Sequence, residues 1–177
     1  YRTSRFRGHD RFVVLAVSYQ LRQGDLSGPV RYAELASALG IQVGERAPAR
    51  AVREAVLALR RRKGMVIDET DHDTWSAGSF FTNPILDQRD AVELPGHAPR
   101  WPLPNGRVKT SAAWLIEHAG FVRGYPGPGG RVTLSGKHAL ALTNRGSATT
   151  ADLLDLAREV RDGVRAAFDV ELAPEPV

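Results

Sequence analysis

The chain has no cysteine in its 177 residues. This excludes disulfides, thiolate nucleophiles and cysteine-ligated zinc or iron–sulfur centres, and it fits a reducing compartment. No apolar run approaches the roughly 18 residues that a membrane helix needs, and no charged, apolar, small-residue leader is present. The expectation is a soluble, cytoplasmic chain with no membrane partner. Aromatic residues make up only 7% of the chain, which is thin for stacking on bases. No helix-turn-helix, KH or RRM signature compensates, so nucleic acid is not an expected partner. Methionine is nearly absent as well: Met65 is the single one and the chain opens on Tyr1, which reads as a piece cut from a longer protein.

What remains is a globular composition, with 42% hydrophobic and 25% charged residues, in a chain long enough for one ordinary domain. The net charge of +4 favours anionic partners without choosing among nucleotides, phosphorylated sugars and nucleic acid. Phe12, Val13, Val14, Leu15, Ala16 and Val17 are apolar on both alternating faces and read as a strand covered on both sides. No neighbouring segment offers it a partner, so residues 1–25 are expected to be a remnant strand and linker of an upstream domain absent here, with residues 26–177 forming the domain proper.

That domain is expected to be α+β, a small mixed sheet packed against helices. A short helix starts at Tyr32 and stops at Gly40. A second, from about Ala49 to Lys63, carries Val52, Ala55, Val56 and Leu59 at i, i+3, i+4 and i+7, which predicts one buried stripe. Its basic last turn, Arg60 to Lys63, suits the negative end of the helix dipole, and Gly64 caps it. Residues 87–107, with four prolines, read as mostly loop with a helical turn near Gln88 to Glu93. Thr110 or Ser111 caps a helix that Gly120 stops, and residues 124–130 read as a flexible turn. It is not a phosphate-binding loop, because its prolines remove amide donors. Residues 132–134 and 138–143 read as strands or as one interrupted strand. Thr149 and Asp152 form a capping box for a helix with Leu153, Leu156, Ala157, Val160, Val164 and Phe168 on one face. The chain closes as an extended segment around Pro174 and Pro176.

The stretch from Thr74 to Pro84 is the candidate site: small residues lead to Ser79, Phe80 and Phe81 shield it on one side, and Asn83-Pro84 ends it. Ser79 is in no G-x-S-x-G elbow and has no triad by spacing, so its ordinary role is that of a turn residue; proton donation is the chemistry its hydroxyl could supply. Asp71-His72-Asp73 lacks the three- or four-residue spacing of ligands on a helix face and reads as a polar loop. His138 shares strand parity with Leu140 and Leu142, which makes a core-edge histidine the default and an anion contact the alternative. Glu175 is held rigidly between two prolines, as acid–base or dipole-orienting work requires.

Taken in order, Tyr1-Arg2-Thr3-Ser4-Arg5-Phe6, Arg60-Arg61-Arg62-Lys63-Gly64-Met65, Ala77-Gly78-Ser79-Phe80-Phe81-Thr82-Asn83-Pro84, Val108-Lys109 through Ala113-Trp114-Leu115-Ile116, Lys137-His138-Ala139-Leu140 and Pro174-Glu175-Pro176 carry a resemblance. The chain resembles the C-terminal half of the UDP-N-acetylenolpyruvoylglucosamine reductase family, flavoenzymes of peptidoglycan precursor synthesis. The resemblance implies that NADPH reduces FAD, which passes hydride to the enolpyruvyl double bond of UDP-N-acetylglucosamine enolpyruvate. Ser79 then matches the general acid and Glu175 the acidic residue near the developing enolate. Lys63, Asn83 and Tyr1 match positions that hold the diphosphate, the sugar or the nicotinamide nucleotide, and His138 matches a further polar ligand contact. It also implies that the FAD-binding domain and a catalytic arginine lie upstream, so that this chain alone should bind substrate weakly and not turn over. The competing expectation is a non-catalytic anion- or nucleic-acid-binding module that uses the basic helix end.

Overall fold

A computed structural model describes residues 4–6 and 11–176. The chain divides into two compact units, Tyr1–Arg53 and Glu54–Val177. No helix among the described residues is long and apolar enough to cross a membrane.

In the first unit, α1 (Ala33–Leu39) ends where Gly40 takes a left-handed conformation at φ 67°. Two close backbone pairings, Ser27 N–H to Ala47 O at 2.9 Å and Val30 N–H to Glu45 O at 2.8 Å, fold the segments around it together. Val30, Ala36 and Ala47 are buried there. The strand expected at residues 12–17 does not form among the described residues, and Val13 and Leu15 are 82% and 92% exposed. A strand is made by ladder hydrogen bonds to a neighbour, and none pairs with it here.

Helix α2 (Ala49–Arg62) runs across the division between the units and ends as expected. Gly64, at φ 66°, accepts the left-handed position that a side chain resists. Its N–H reaches Arg61 O at 3.0 Å and the Met65 N–H reaches Arg60 O at 2.9 Å, the paired bonds of a Schellman end. The stripe expected to be buried is a correction: Val52, Ala55, Val56 and Leu59 are only half-buried, and no residue of α2 is fully buried. An amphipathic period selects a face, and covering that face needs a partner of matching shape.

The second unit has the α+β class expected, its strands divided between two antiparallel sheets. β1 (Ile85–Leu86), β3 (Val108–Thr110) and β2 (Arg100–Pro102) form one, in the order β1-β3-β2. Residues 87–107 hold the expected helical turn, α3 (Gln88–Glu93), and beyond it, where loop was expected, an edge strand in which Pro102 is tolerated. The proline-rich connection is held by Arg100, whose guanidinium donates to the carbonyls of Ala91 (2.9 Å) and Leu94 (2.6 Å). Ser111, not Thr110, caps α4 (Ala112–His118), its hydroxyl accepting from the Trp114 N–H at 3.2 Å.

The second sheet pairs β4 (Val132–Leu134) with β5 (Leu142–Asn144). The glycine- and proline-rich turn before β4 is tied to it, Gly124 N–H donating to Leu134 O and Gly127 N–H to Val132 O. Helix α5 (Thr150–Phe168) begins in the expected capping box and packs on β4, β5 and α4. Leu115 and Ile116 of α4, Val132 and Leu134 of β4, and Leu156, Val160 and Val164 of α5 are all fully enclosed. This core is the surface on which the candidate site rests.

Candidate active site

Thr74 anchors the start of the stretch. It is buried, its Oγ1 donates to the carbonyl of Asp71 at 2.8 Å, and it accepts from the Asp68 N–H at 3.0 Å. Beyond Ser79 the two phenylalanines have different tasks. Phe81 is 1% exposed and belongs to the core cluster, whereas Phe80 is half-buried at its edge. A buried phenylalanine removes on the order of 200 Å² from water, enough to fix a short segment that belongs to no sheet.

So fixed, the segment serves as a junction for two remote pieces of chain. On one side Ser79 pairs with Ala141, and the Phe80 N–H donates to Leu140 O at 2.7 Å. On the other, Phe81 pairs with Pro174, the Glu175 N–H donates to Phe80 O at 2.7 Å and the Thr82 N–H to Ala173 O at 3.0 Å. Positions 79, 138 and 175, far apart in sequence, thus come to one neighbourhood. Among the described residues the Ser79 hydroxyl takes no hydrogen-bond partner, and Glu175 is exposed. Beside them a groove of about 290 Å³ runs between Phe80, Phe81, Pro174, Pro176 and the α5 residues Leu154, Ala157, Arg158 and Arg161.

His138 sits in a tight turn built by Ser135. The fully buried Ser135 hydroxyl accepts from the Lys137 N–H (3.0 Å) and the His138 N–H (3.2 Å). The imidazole Nδ1 in turn accepts from the Leu140 N–H at 3.2 Å, which assigns the proton of the neutral ring to Nε2. Burial, followed by the positive charges of Lys63 and Arg123, pushes the pKa of His138 below its usual value. At neutral pH the ring is therefore an uncharged Nε2–H donor. Lys63, exposed at the end of α2, lies close enough to His138 for its charge to be felt there. Asn83 is only partly available: its Oδ1 accepts from the Ala112 N–H at 3.0 Å and helps Ser111 close the start of α4. Tyr1 lies outside the described residues.

The acidic loop before the motif does more than sequence reasoning assigned to it. Asp71 forms an ion pair with Lys137, which together with the Asp73 N–H holds its carboxyl below the usual range. Asp73 Oδ1 accepts from the Gly136 N–H at 3.1 Å and from Arg145 Nη1 at 3.2 Å. Its partners lie 63 and 72 residues away, so no local spacing announces them.

The model of the UDP-N-acetylenolpyruvoylglucosamine reductase C-terminal domain matches residues 69–177, more than half of the chain. The chain belongs to that reductase family. A protein of that name from Saccharopolyspora erythraea is 60% identical over 100% of this chain and 51% of its own length. Its namesake from a Mycobacterium species is 58% identical over 99% of this chain and 51% of its own, and that of Thermobifida fusca 57% identical over 100% and 52%. The chain thus spans about half the length of the curated relatives it matches.

The amides that begin α4 are taken by Ser111 and Asn83, and those that begin α5 by Thr149, with Asp152 and Arg131 closing the same end. A dinucleotide phosphate needs such amides open, and at these two helix starts the chain's own side chains occupy them.

Proposed function

We propose that this chain is the substrate-binding part of a flavoenzyme that reduces UDP-N-acetylglucosamine enolpyruvate with NADPH. In this reading FAD is held by an upstream domain of the same protein, to which residues 1–25 belong, with residues 26–177 forming the substrate domain. The flavin's contribution is hydride, and this chain's contribution is to hold the enolpyruvyl sugar and to manage the proton. Hydride addition at the methylene carbon of the enolpyruvyl group places negative charge on the carbon that bears both the ether oxygen and the carboxylate. That carbon must then take a proton, and Ser79 Oγ is the donor. Glu175, fixed by its backbone bond to Phe80, acts electrostatically next to that donor.

Lys63 and His138 would meet the anionic diphosphate, the first as a point charge and the second through Nε2–H. Asn83 would donate through Nδ2, since its Oδ1 serves α4. Tyr1 is assigned to the same ligand on resemblance alone. The observation that carries this reading is the junction at residues 79–82, which gathers Ser79, the His138 turn and Glu175.

The test separates two half-reactions in the full-length protein. Ser79→Ala should leave flavin reduction by NADPH intact and slow reoxidation by the enolpyruvyl substrate by about 10²–10⁴-fold. Equal loss in both halves would remove the acid role. The 177-residue chain alone should be colourless and without turnover, and a stoichiometric bound flavin would overturn the division of labour.

A further inference from the structure

Asp73 stands between the Lys63 turn and the His138 turn, where a Cβ on Gly64 would also lie 3.7 Å from the Lys137 side chain. The Asp73 backbone carbonyl closes on Gly64 so tightly that a Cβ there would lie 2.7 Å from the oxygen, nearer than real Cβ atoms come. Its carboxylate closes on the other turn: Oδ1 accepts from the Gly136 N–H at 3.1 Å, and a Cβ on Gly136 would lie 3.0 Å from Oδ2. Two glycines, each next to a residue assigned to ligand binding or to its flank, thus press on one aspartate from opposite sides.

The aspartate is itself held. Its N–H donates to Asp71 Oδ1 at 3.0 Å, its Oδ1 also accepts from Arg145 Nη1 at 3.2 Å, and its side chain is 18% exposed. The short helical turn His72–Thr74 that carries it packs on β5. Asp73 therefore has the attachments of a spacer, fixed to the sheet and touching both turns.

We propose that Asp73 is a positioning residue that sets the separation between Lys63 and His138, and so fixes the geometry of the anion-binding pair. The assignment of those two residues to ligand rests on the function proposed above, whereas the spacer itself does not. Lys63 must stay near His138 for both to meet one diphosphate, and Gly64 lets it approach because no side chain intervenes.

The imidazole of His138 reports the spacing. The charged groups around it are Lys63 and Arg123, which oppose its protonation, Lys137 paired with Asp71, and Asp73 paired with Arg145. If Asp73 acts by holding Lys63 in place, replacing it lets the cation retreat and the His138 pKa rises. If Asp73 acts on the ring through its own charge, removing an anion makes the pKa fall. The signs are opposite.

The experiment is an NMR titration of the His138 ring in this chain, for wild type, Lys63→Gln, Asp73→Ala and the double variant. Lys63→Gln and Asp73→Ala should each raise the pKa, and the double variant should rise no further than Lys63→Gln alone. Asp73→Asn, which keeps an acceptor for the Gly136 N–H, should lie between wild type and Asp73→Ala, and it supplies the same sign where the alanine variant is too unstable to titrate. A fall in pKa, or additive shifts in the double variant, overturns the proposal. In the full-length protein Asp73→Asn should raise the KM for the enolpyruvyl substrate by about tenfold, the effect of one misplaced charge-assisted contact, with a smaller change in kcat. A kcat effect equal to or larger than the KM effect would overturn it too. A wild-type protein that does not turn that substrate over would defeat the proposed function, and the titration would still decide the role of Asp73.

Discussion

Helices α2 and α5 carry the same kind of apolar stripe and end in opposite conditions. On α5, Leu156, Val160 and Val164 are fully enclosed against α4, β4 and β5. On α2, no residue is fully buried, and Val52, Ala55, Val56 and Leu59 remain half-covered. Both sequences repeat with a helical period, so the period is not what separates them. α5 also starts in a complete capping box, with Thr149 and Asp152 satisfying each other's backbone N–H groups at 2.8–3.3 Å. The difference teaches that a stripe shows which face seeks cover, and only the assembled neighbours show whether it is found.

The sharpest way to break this contrast is truncation on the covered helix. Leu156→Ala should destabilise the chain by about 2–5 kcal/mol, because the cavity it leaves is walled by packed core. A smaller loss in denaturant unfolding would mean that α5 is not the spine of the core. Thr149→Ala should cost about 1 kcal/mol through the lost cap, read as a shift in the same unfolding midpoint.

Much of this was legible because it is local. Thr149 and Asp152 are three residues apart, and Gly40, Gly64 and Gly120 end the helices they were expected to end. The small sheet β1-β3-β2 was not legible: its strands are two or three residues long and broken by prolines. It is held by long-range pairing and by Arg100 reaching loop carbonyls, and neither leaves a periodic trace. The same division runs through the candidate site. Ser79, His138 and Glu175 stood out by motif, whereas Asp73 and Ser135 act through partners or backbone contacts that no spacing announces. Residues 12–17 show the converse, a strand pattern without a ladder among the described residues.

Acid should expose the α5 cap next. Arg131 and the capping bonds of Thr149 hold the Asp152 carboxyl well below the ordinary range. A carboxyl with a lowered folded pKa stabilises the fold above its unfolded value, near 3.9, and that contribution is lost as pH falls through the folded value. Melting temperature should therefore drop below about pH 4, and Asp152→Asn should start lower at neutral pH and fall less steeply. His138 adds a weaker slope at higher pH. Its pKa is lowered by folding, so the unfolded chain takes up the proton first and stability declines as pH falls below about 6.5. His138→Gln should flatten that region alone.

The smallest effect belongs to α2 and decides whether the comparison holds. Leu59 is half-buried with its stripe incompletely covered, so Leu59→Ala should cost under about 1 kcal/mol in this chain, well below the same truncation at Leu156. The physical ground is that little transfer free energy is lost where water already reaches the side chain, and no walled cavity is left behind. Measured side by side in one denaturant series, the two variants differ only in how complete the cover is. Equal losses would mean that α2 is as well packed in solution as α5, and the distinction between a stripe that finds cover and one that does not would fail for this chain.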